Sequence, residues 1–166
     1  DKNMETKTSS NGFYPLYTGI KIQIAHERGL LPEVAFLAGL ELPFTAHKTF
    51  KTSHTAANMR FTLSHSLSER FSLGYNLGAE WDGDTPVPSY FYSVALGLSL
   101  TGKAGAFIEF YGLIPEKGIS THLIDGGITF LIKPNRQLDA SGGLGLNEEA
   151  MDYFISFGIS YRLPLQ

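Results

Sequence analysis

Eight charged residues stand singly among small neighbours and are the first candidates for chemistry: Lys21, Glu41, Arg60, Glu80, Glu109, Asp125, Asp139 and Arg162. Each sits in a segment where every second residue is large and apolar. On a strand, alternate side chains point to opposite faces, so all eight belong to the face without the large apolar residues. Gathered there, they would form a selectivity lining for a polar or anionic aromatic solute. The plainer alternative is that they pair across an enclosed interior, where charges need partners. Phe91, Phe107, Tyr111 and Phe154 share the same parity. They would either make an aromatic binding strip on that side or fill it.

His47, His54, His65 and His122 raise a hydrolytic alternative. Nucleophilic catalysis needs serine, histidine and a carboxylate within hydrogen-bond reach. His65 is flanked by Ser64 and Ser66, but strand neighbours face opposite sides. His54 adjoins Ser53 in a polar loop, and neither histidine has an identifiable carboxylate partner in the sequence. His47 and His54, with Lys48 and Lys51, could hold a lipopolysaccharide phosphate or a metal, although a solvated loop explains them as well. The sequence has no Cys, which removes disulfides and thiolate metal sites. The Gly doublets at 126–127 and 142–143 lack the strand-to-helix setting of a phosphate cradle and would instead bend strands or relieve crowding. No enzyme, metal site or cofactor is expected.

The elements that position these residues are strands. In Glu69–Trp81 the apolar set is Phe71, Leu73, Tyr75, Leu77, Ala79 and Trp81, while Ser72, Gly74, Asn76, Gly78 and Glu80 lie between. A soluble sheet covers its wet face with Lys, Glu and Thr, whereas here that face is Gly, Ser and Asn. Such a pairing suits aromatic side chains in lipid and small ones in a crowded interior. The pattern recurs about nine times. It is centred on Ile20–Ile24, Val34–Leu42, Asn58–Ser64, Phe71–Trp81, Tyr90–Leu100, Ala106–Tyr111, Ile124–Ile132, Leu138–Leu146 and Tyr153–Arg162. Runs of about 9–12 residues match tilted strands crossing a bilayer. No stretch shows a helical period or approaches the length of a spanning helix.

Composition agrees. Charged residues make up 17%, aromatics 13%, and there are 18 Gly in 166 residues. That is low charge with abundant glycine and aromatics for a single domain. A formal net charge of −3 without a Lys/Arg cluster gives no reason to expect a nucleic-acid partner, and none is expected. Short turns at Ser66–Arg70, Thr101–Gly105 and Lys133–Arg136 alternate with longer loops at Thr45–Thr55, Asp82–Ser89, Ile114–Ser120 and Asn147–Asp152. Outer-membrane barrels have short periplasmic turns and long outside loops. By that rule Trp81, Tyr90, Tyr92 and Tyr153 form an outer aromatic girdle, and Phe71, Phe130 and Tyr161 an inner one.

The expectation is therefore all-β: an antiparallel transmembrane outer-membrane β-barrel over 15–166, preceded by a polar tail or loop over 1–14. A soluble sandwich or lipocalin-like barrel is the competing architecture, with an almost uncharged glycine-rich exterior. About nine strands are visible, whereas single-chain bacterial barrels have even totals. N-terminal strands outside the sequence, or strands of a partner chain, would supply the difference; a strand concealed within 1–16 is the simpler alternative. Asp1 reads as a mature or trimmed start, since no signal peptide is present.

At Leu42-Pro43, and then along Ser68-Glu69-Arg70-Phe71-Ser72-Leu73-Gly74-Tyr75-Asn76-Leu77-Gly78, the chain resembles the outer-membrane family labelled "putative MetA-pathway of phenol degradation". The likeness continues through Gly105–Gly112, Asp125–Thr129 and Pro134–Asp139, and closes on Gly158-Ile159-Ser160-Tyr161-Arg162. Members carry Pro-Thr-Gly where this chain has Pro43-Phe44-Thr45, and end on an aromatic strand terminus where this chain adds Leu163–Gln166. The resemblance implies a membrane-embedded channel or uptake protein for small solutes, with aromatic ones suggested by the family label. A non-conducting structural or accessory subunit of a larger outer-membrane complex is the alternative, and an outer-membrane lipid hydrolase the third. Expected partners are outer-membrane lipid and lipopolysaccharide, and other outer-membrane subunits under the second reading.

Overall fold

The computed structural model describes residues 11–163. Nine strands follow one another: β1 (Leu16–Ala25), β2 (Glu33–Leu42), β3 (Ala56–Ser66), β4 (Phe71–Trp81), β5 (Ser89–Ser99), β6 (Ala104–Pro115), β7 (Thr121–Lys133), β8 (Arg136–Gly145) and β9 (Tyr153–Tyr161). They form one sheet in the order β1 to β9, each antiparallel to the next. Between β2 and β3 lie two short 3₁₀ turns, Pro43–Thr45 and Lys48–Phe50. Among the described residues no helix is long and apolar enough to cross a membrane, which says nothing of crossing by strands. Residues 11–15 carry no strand, so any part of a concealed strand or tail at 1–10, and residues 164–166, lie outside the described residues.

The strands form where β-branched and aromatic residues alternate with small ones. Local side-chain chemistry ends them. The Ser68 hydroxyl accepts hydrogen bonds from the N–H groups of Arg70 and Phe71 at 3.2 and 3.0 Å, closing the β3–β4 turn. Thr101 does the same for Lys103 and Ala104 between β5 and β6. After β4, the Asp82 carboxylate accepts from the N–H groups of Asp84 and Thr85, both at 2.8 Å. These are side chains mimicking a backbone turn. Two register shifts, at Gln23/Ala25 and Leu131/Lys133, fall at the same short-turn end of the sheet.

Burial is inverted relative to a soluble protein. Phe157 is 81% exposed and Ile155 71%, while Ser93 on the opposite face is 1% exposed. The other most buried residues include Ala35 and Leu123, which share Ser93's face. The sheet therefore curls around its small-residue side and leaves the large apolar side uncovered. β1 and β9 are not paired with each other, so the sheet is not closed. Nine curled antiparallel strands with one open seam are consistent with part of a barrel wall.

Candidate functional site

The inner face is read most directly along the hydrogen-bonded rows that cross it. One row runs Lys21, Leu37, Arg60, Gly78, Phe91, Leu113. Arg60 reaches over Gly78, and its Cζ lies 3.8 Å from the centroid of the Phe91 ring. Glycine is needed between them, because a Cβ there would press on Arg60 Cα at 3.2 Å and on the Met59 carbonyl. The next row is uncharged: Gln23, Ala35, Thr62, Asn76, Ser93, Tyr111, Leu123. In it Asn76 Nδ2 donates to Ser93 Oγ at 2.7 Å, which satisfies the most buried hydroxyl of the wall.

A third row brings Glu33, Ser64, Gly74, Ala95, Glu109, Asp125, Gly143 and Phe154 side by side. Glu109 and Asp125 are direct cross-strand neighbours, and Asp125 Oδ1 is buried with no hydrogen-bond partner among the described residues. Asp139 stands further along the wall between Thr129 and Gly158, its carboxylate lying over the glycine. Toward the long loops, Glu41 and Glu80 line a hollow of about 300 Å³ with Asn58 and Asp82. The Tyr17 hydroxyl donates to Asn58 Oδ1 at 3.3 Å beside it. At the short-turn end a hollow of about 540 Å³ is lined by Ser66, Ser72, Gly97, Phe107 and Thr129, with Arg70 and Lys103 at its rim.

Lys21, Glu41, Arg60, Glu80, Glu109, Asp125 and Asp139 thus occupy inner-face positions, one each on β1 to β4 and β6 to β8. Arg162 lies one residue past β9, exposed, with its N–H donating to the Asn135 carbonyl at 2.9 Å. The seven are not drawn into one cluster. The one contact within salt-bridge distance among the described residues is His65 Nδ1 with Glu27 at 3.9 Å, so the wall charges form no network with each other. Phe91, Phe107, Tyr111 and Phe154 share the inner face. Phe107 lies over Gly127, where a Cβ would come 2.7 Å from the ring, and Phe154 over Gly143. The Phe107 and Phe154 rings thus occupy space that glycine leaves vacant.

Parity missed part of the inner face. Tyr17 belongs to it because β1 begins at Leu16, ahead of the isoleucine run, where Thr18 and Gly19 blur the alternation. Leu113 and Leu123 also stand on this face among the polar residues, beside Leu37, which alternation had placed there.

On the outer face Phe71, Tyr90, Phe130, Tyr153 and Tyr161 are exposed, while Trp81 and Tyr92 are half-buried. Trp81, Tyr90, Tyr92 and Tyr153 stand near the long-loop end of their strands, and Phe71, Phe130 and Tyr161 near the short-turn end. Tyr92 also meets a histidine that the sequence left in isolation, its hydroxyl lying 2.6 Å from His122 Nδ1.

The histidines require one correction: His65 does have a carboxylate neighbour. Glu27 arrives from the β1–β2 connection, too distant in sequence for local spacing to reveal. Its carboxylate accepts from Ser66 N–H at 2.7 Å and from Ser66 Oγ at 2.8 Å. The Ser66 N–H bond is the main cause that holds the Glu27 carboxyl below its ordinary pKa, followed by the hydroxyl, with His65 adding a smaller pull. Yet Ser66 gives its proton to Glu27, and His65 Nε2 faces the Tyr75 hydroxyl at 3.2 Å. No serine hydroxyl is hydrogen-bonded to a histidine ring among the described residues. Asp82 is likewise held below its ordinary value by the N–H groups of Thr85 and Asp84.

The His47 ring is tilted against Phe50, with centroids 6.5 Å apart, and its Nδ1 accepts from Thr49 N–H. His54 N–H donates to the Gly83 carbonyl, and Ser53 N–H donates to Asp84 Oδ1, tying the β2–β3 and β4–β5 loops together. No group of three metal-ligating side chains occurs among the described residues.

A family model described as "Putative MetA-pathway of phenol degradation" matches residues 1–163. No curated protein matches the chain.

Proposed function

The chain belongs to this family, and on that premise we propose that it forms the wall of an outer-membrane β-barrel whose interior passes small solutes, with aromatic ones suggested by the family label. One observation carries the reading. The outer face is apolar and uncovered, while the inner face holds charges that make no ion pairs with one another. An uncovered apolar sheet face of this extent needs lipid or protein against it. Unpaired charges along an interior wall are the material of a selective path. Lipid and lipopolysaccharide are then the surroundings of the outer face, with the aromatic residues at its two ends at the headgroup level. The protein acts without catalysis under this reading.

The open edges of β1 and β9 favour a second reading, an accessory barrel whose seam is completed by other outer-membrane subunits. The two separate in one experiment. Full-length protein in a planar bilayer should conduct ions, and Glu80→Gln, Glu109→Gln or Arg60→Gln should shift the reversal potential. A silent bilayer, together with stable partners co-purifying from detergent, removes the channel reading and supports the subunit.

A further inference from the structure

We propose that Arg60 and Phe91 form an inner-wall subsite for a small organic anion, a carboxylate carried on a flat apolar body. It rests on the reading of this face as a solute path and names what the path would recognise.

The argument starts from what Arg60 lacks. It makes no ion pair among the described residues, although Glu80 stands only one row away on the neighbouring strand. Its guanidinium carbon instead lies over the Phe91 ring, 3.8 Å from the centroid. Arginine packs on an aromatic ring in this way because the guanidinium is planar and weakly hydrated. The ring covers one side of the guanidinium and leaves an N–H edge for another acceptor. That edge presents two parallel donors, the fork that matches a carboxylate. Gly78 gives the side chain its route across β4, and the ring limits its freedom, so the fork is set before any ligand arrives.

The surroundings select the body of the ligand. Leu37 and Leu113 flank Arg60 and Phe91 in the same row, and that row carries no acid from Lys21 to Leu113. The row beside it is uncharged from Gln23 to Leu123 and includes Tyr111. The paired acids Glu109 and Asp125 are two rows away from Phe91, on β6 and β7. An anion with an aryl or short alkyl body meets a cation and apolar surface here, and the one acid in either adjacent row is Glu80, on the long-loop side. A small inorganic anion would use the cation and leave the apolar surface unused.

The test uses the full-length protein folded in detergent micelles, with benzoate, acetate and benzyl alcohol as probes in calorimetric titration. Benzoate should bind more tightly than either acetate or benzyl alcohol. R60Q should weaken benzoate at least tenfold and leave benzyl alcohol unchanged. R60K, which keeps the charge and loses the fork, should fall between. F91L should weaken benzoate by roughly threefold, the size expected of an exposed cation–π contact. Equal benzoate binding by wild type, R60Q and R60K overturns the subsite, as does the absence of benzoate binding to a wild-type protein that conducts. In that last case the solute path stands alone. Arg60-dependent benzoate binding by a protein that does not conduct has the opposite meaning: the subsite stands and the path reading falls.

Discussion

The Tyr92 hydroxyl and His122 Nδ1 meet at 2.6 Å on the outer face, and they do so across the intervening Gly112 of β6. A Cβ on that glycine would lie 2.9 Å from the hydroxyl, 3.0 Å from the imidazole nitrogen and against the Thr121 carbonyl. The bond and the glycine are therefore one feature. Tyr92→Phe should cost about 1 kcal/mol, the net worth of one hydrogen bond. Gly112→Val should cost more, because the added methyl groups force the ladder apart as well as breaking the bond. Equilibrium urea unfolding of the refolded protein measures both. A Gly112→Val variant as stable as wild type would show that the two side chains do not close over the glycine.

Face assignment has its own measurement. Ile155 is 71% exposed in the middle of β9, and Leu96 is exposed on the same face of β5. In a lipid-facing wall, Ile155→Arg and Leu96→Arg should each cost about 2–4 kcal/mol. In a soluble sheet with that face in water, either change would be nearly neutral. Unfolding free energies measured from lipid vesicles distinguish the two.

How far the sequence revealed this depends on the residue. Period-two alternation located all nine strands because large apolar residues predominate on one face of each and small or polar residues on the other. It lost the first residues of β1, where Tyr17, Thr18 and Gly19 carry little contrast. The inner positions of Lys21, Arg60 and Asp125 followed from parity, but their lack of ion pairs did not, since pairing depends on which rows meet. Glu27 beside His65 and Tyr92 beside His122 were invisible for the same reason. Each contact joins residues on different strands or connections, and register is set by tertiary pairing rather than by spacing along the chain.

Register also places two acids against each other. Glu109 and Asp125 are opposite neighbours on β6 and β7, and like charges directly opposite destabilise a sheet. Asp125→Asn should therefore raise stability by about 0.2–1 kcal/mol. The same change removes a negative charge from the wall, so cation preference in a bilayer should decrease at low salt. Loss of stability in Asp125→Asn would mean that the carboxylate has a partner which offsets the repulsion.

Glu27 makes the connection between β1 and β2 sensitive to acid. Its carboxyl is held below the ordinary value by Ser66, so the bond contributes at neutral pH and is lost as pH falls through that lowered value. Amide hydrogen exchange at Ser66 should speed up below the usual carboxylate range, beyond the intrinsic change with pH. Glu27→Gln should show the faster exchange already at neutral pH. An unchanged protection profile in that variant would show that the carboxylate does not hold the loop.

The order of strands carries a consequence for how the wall comes into being. Every pairing from β1–β2 to β8–β9 joins chain neighbours, so each hairpin can form soon after its second strand is available. Local contacts of this kind are reached quickly, and contacts between distant segments slowly. Closing the seam is a different event, because whatever covers β1 and β9 must bring together the two ends of the sheet. Because an even number of reversals separates them, those two strands point the same way, and a direct junction would be the sheet's one parallel pairing. In a closed barrel, seam closure would therefore be the slow step of assembly. While it waits, two rows of unsatisfied backbone groups are open to any other strand, so a stalled intermediate would be lost to edge-to-edge aggregation.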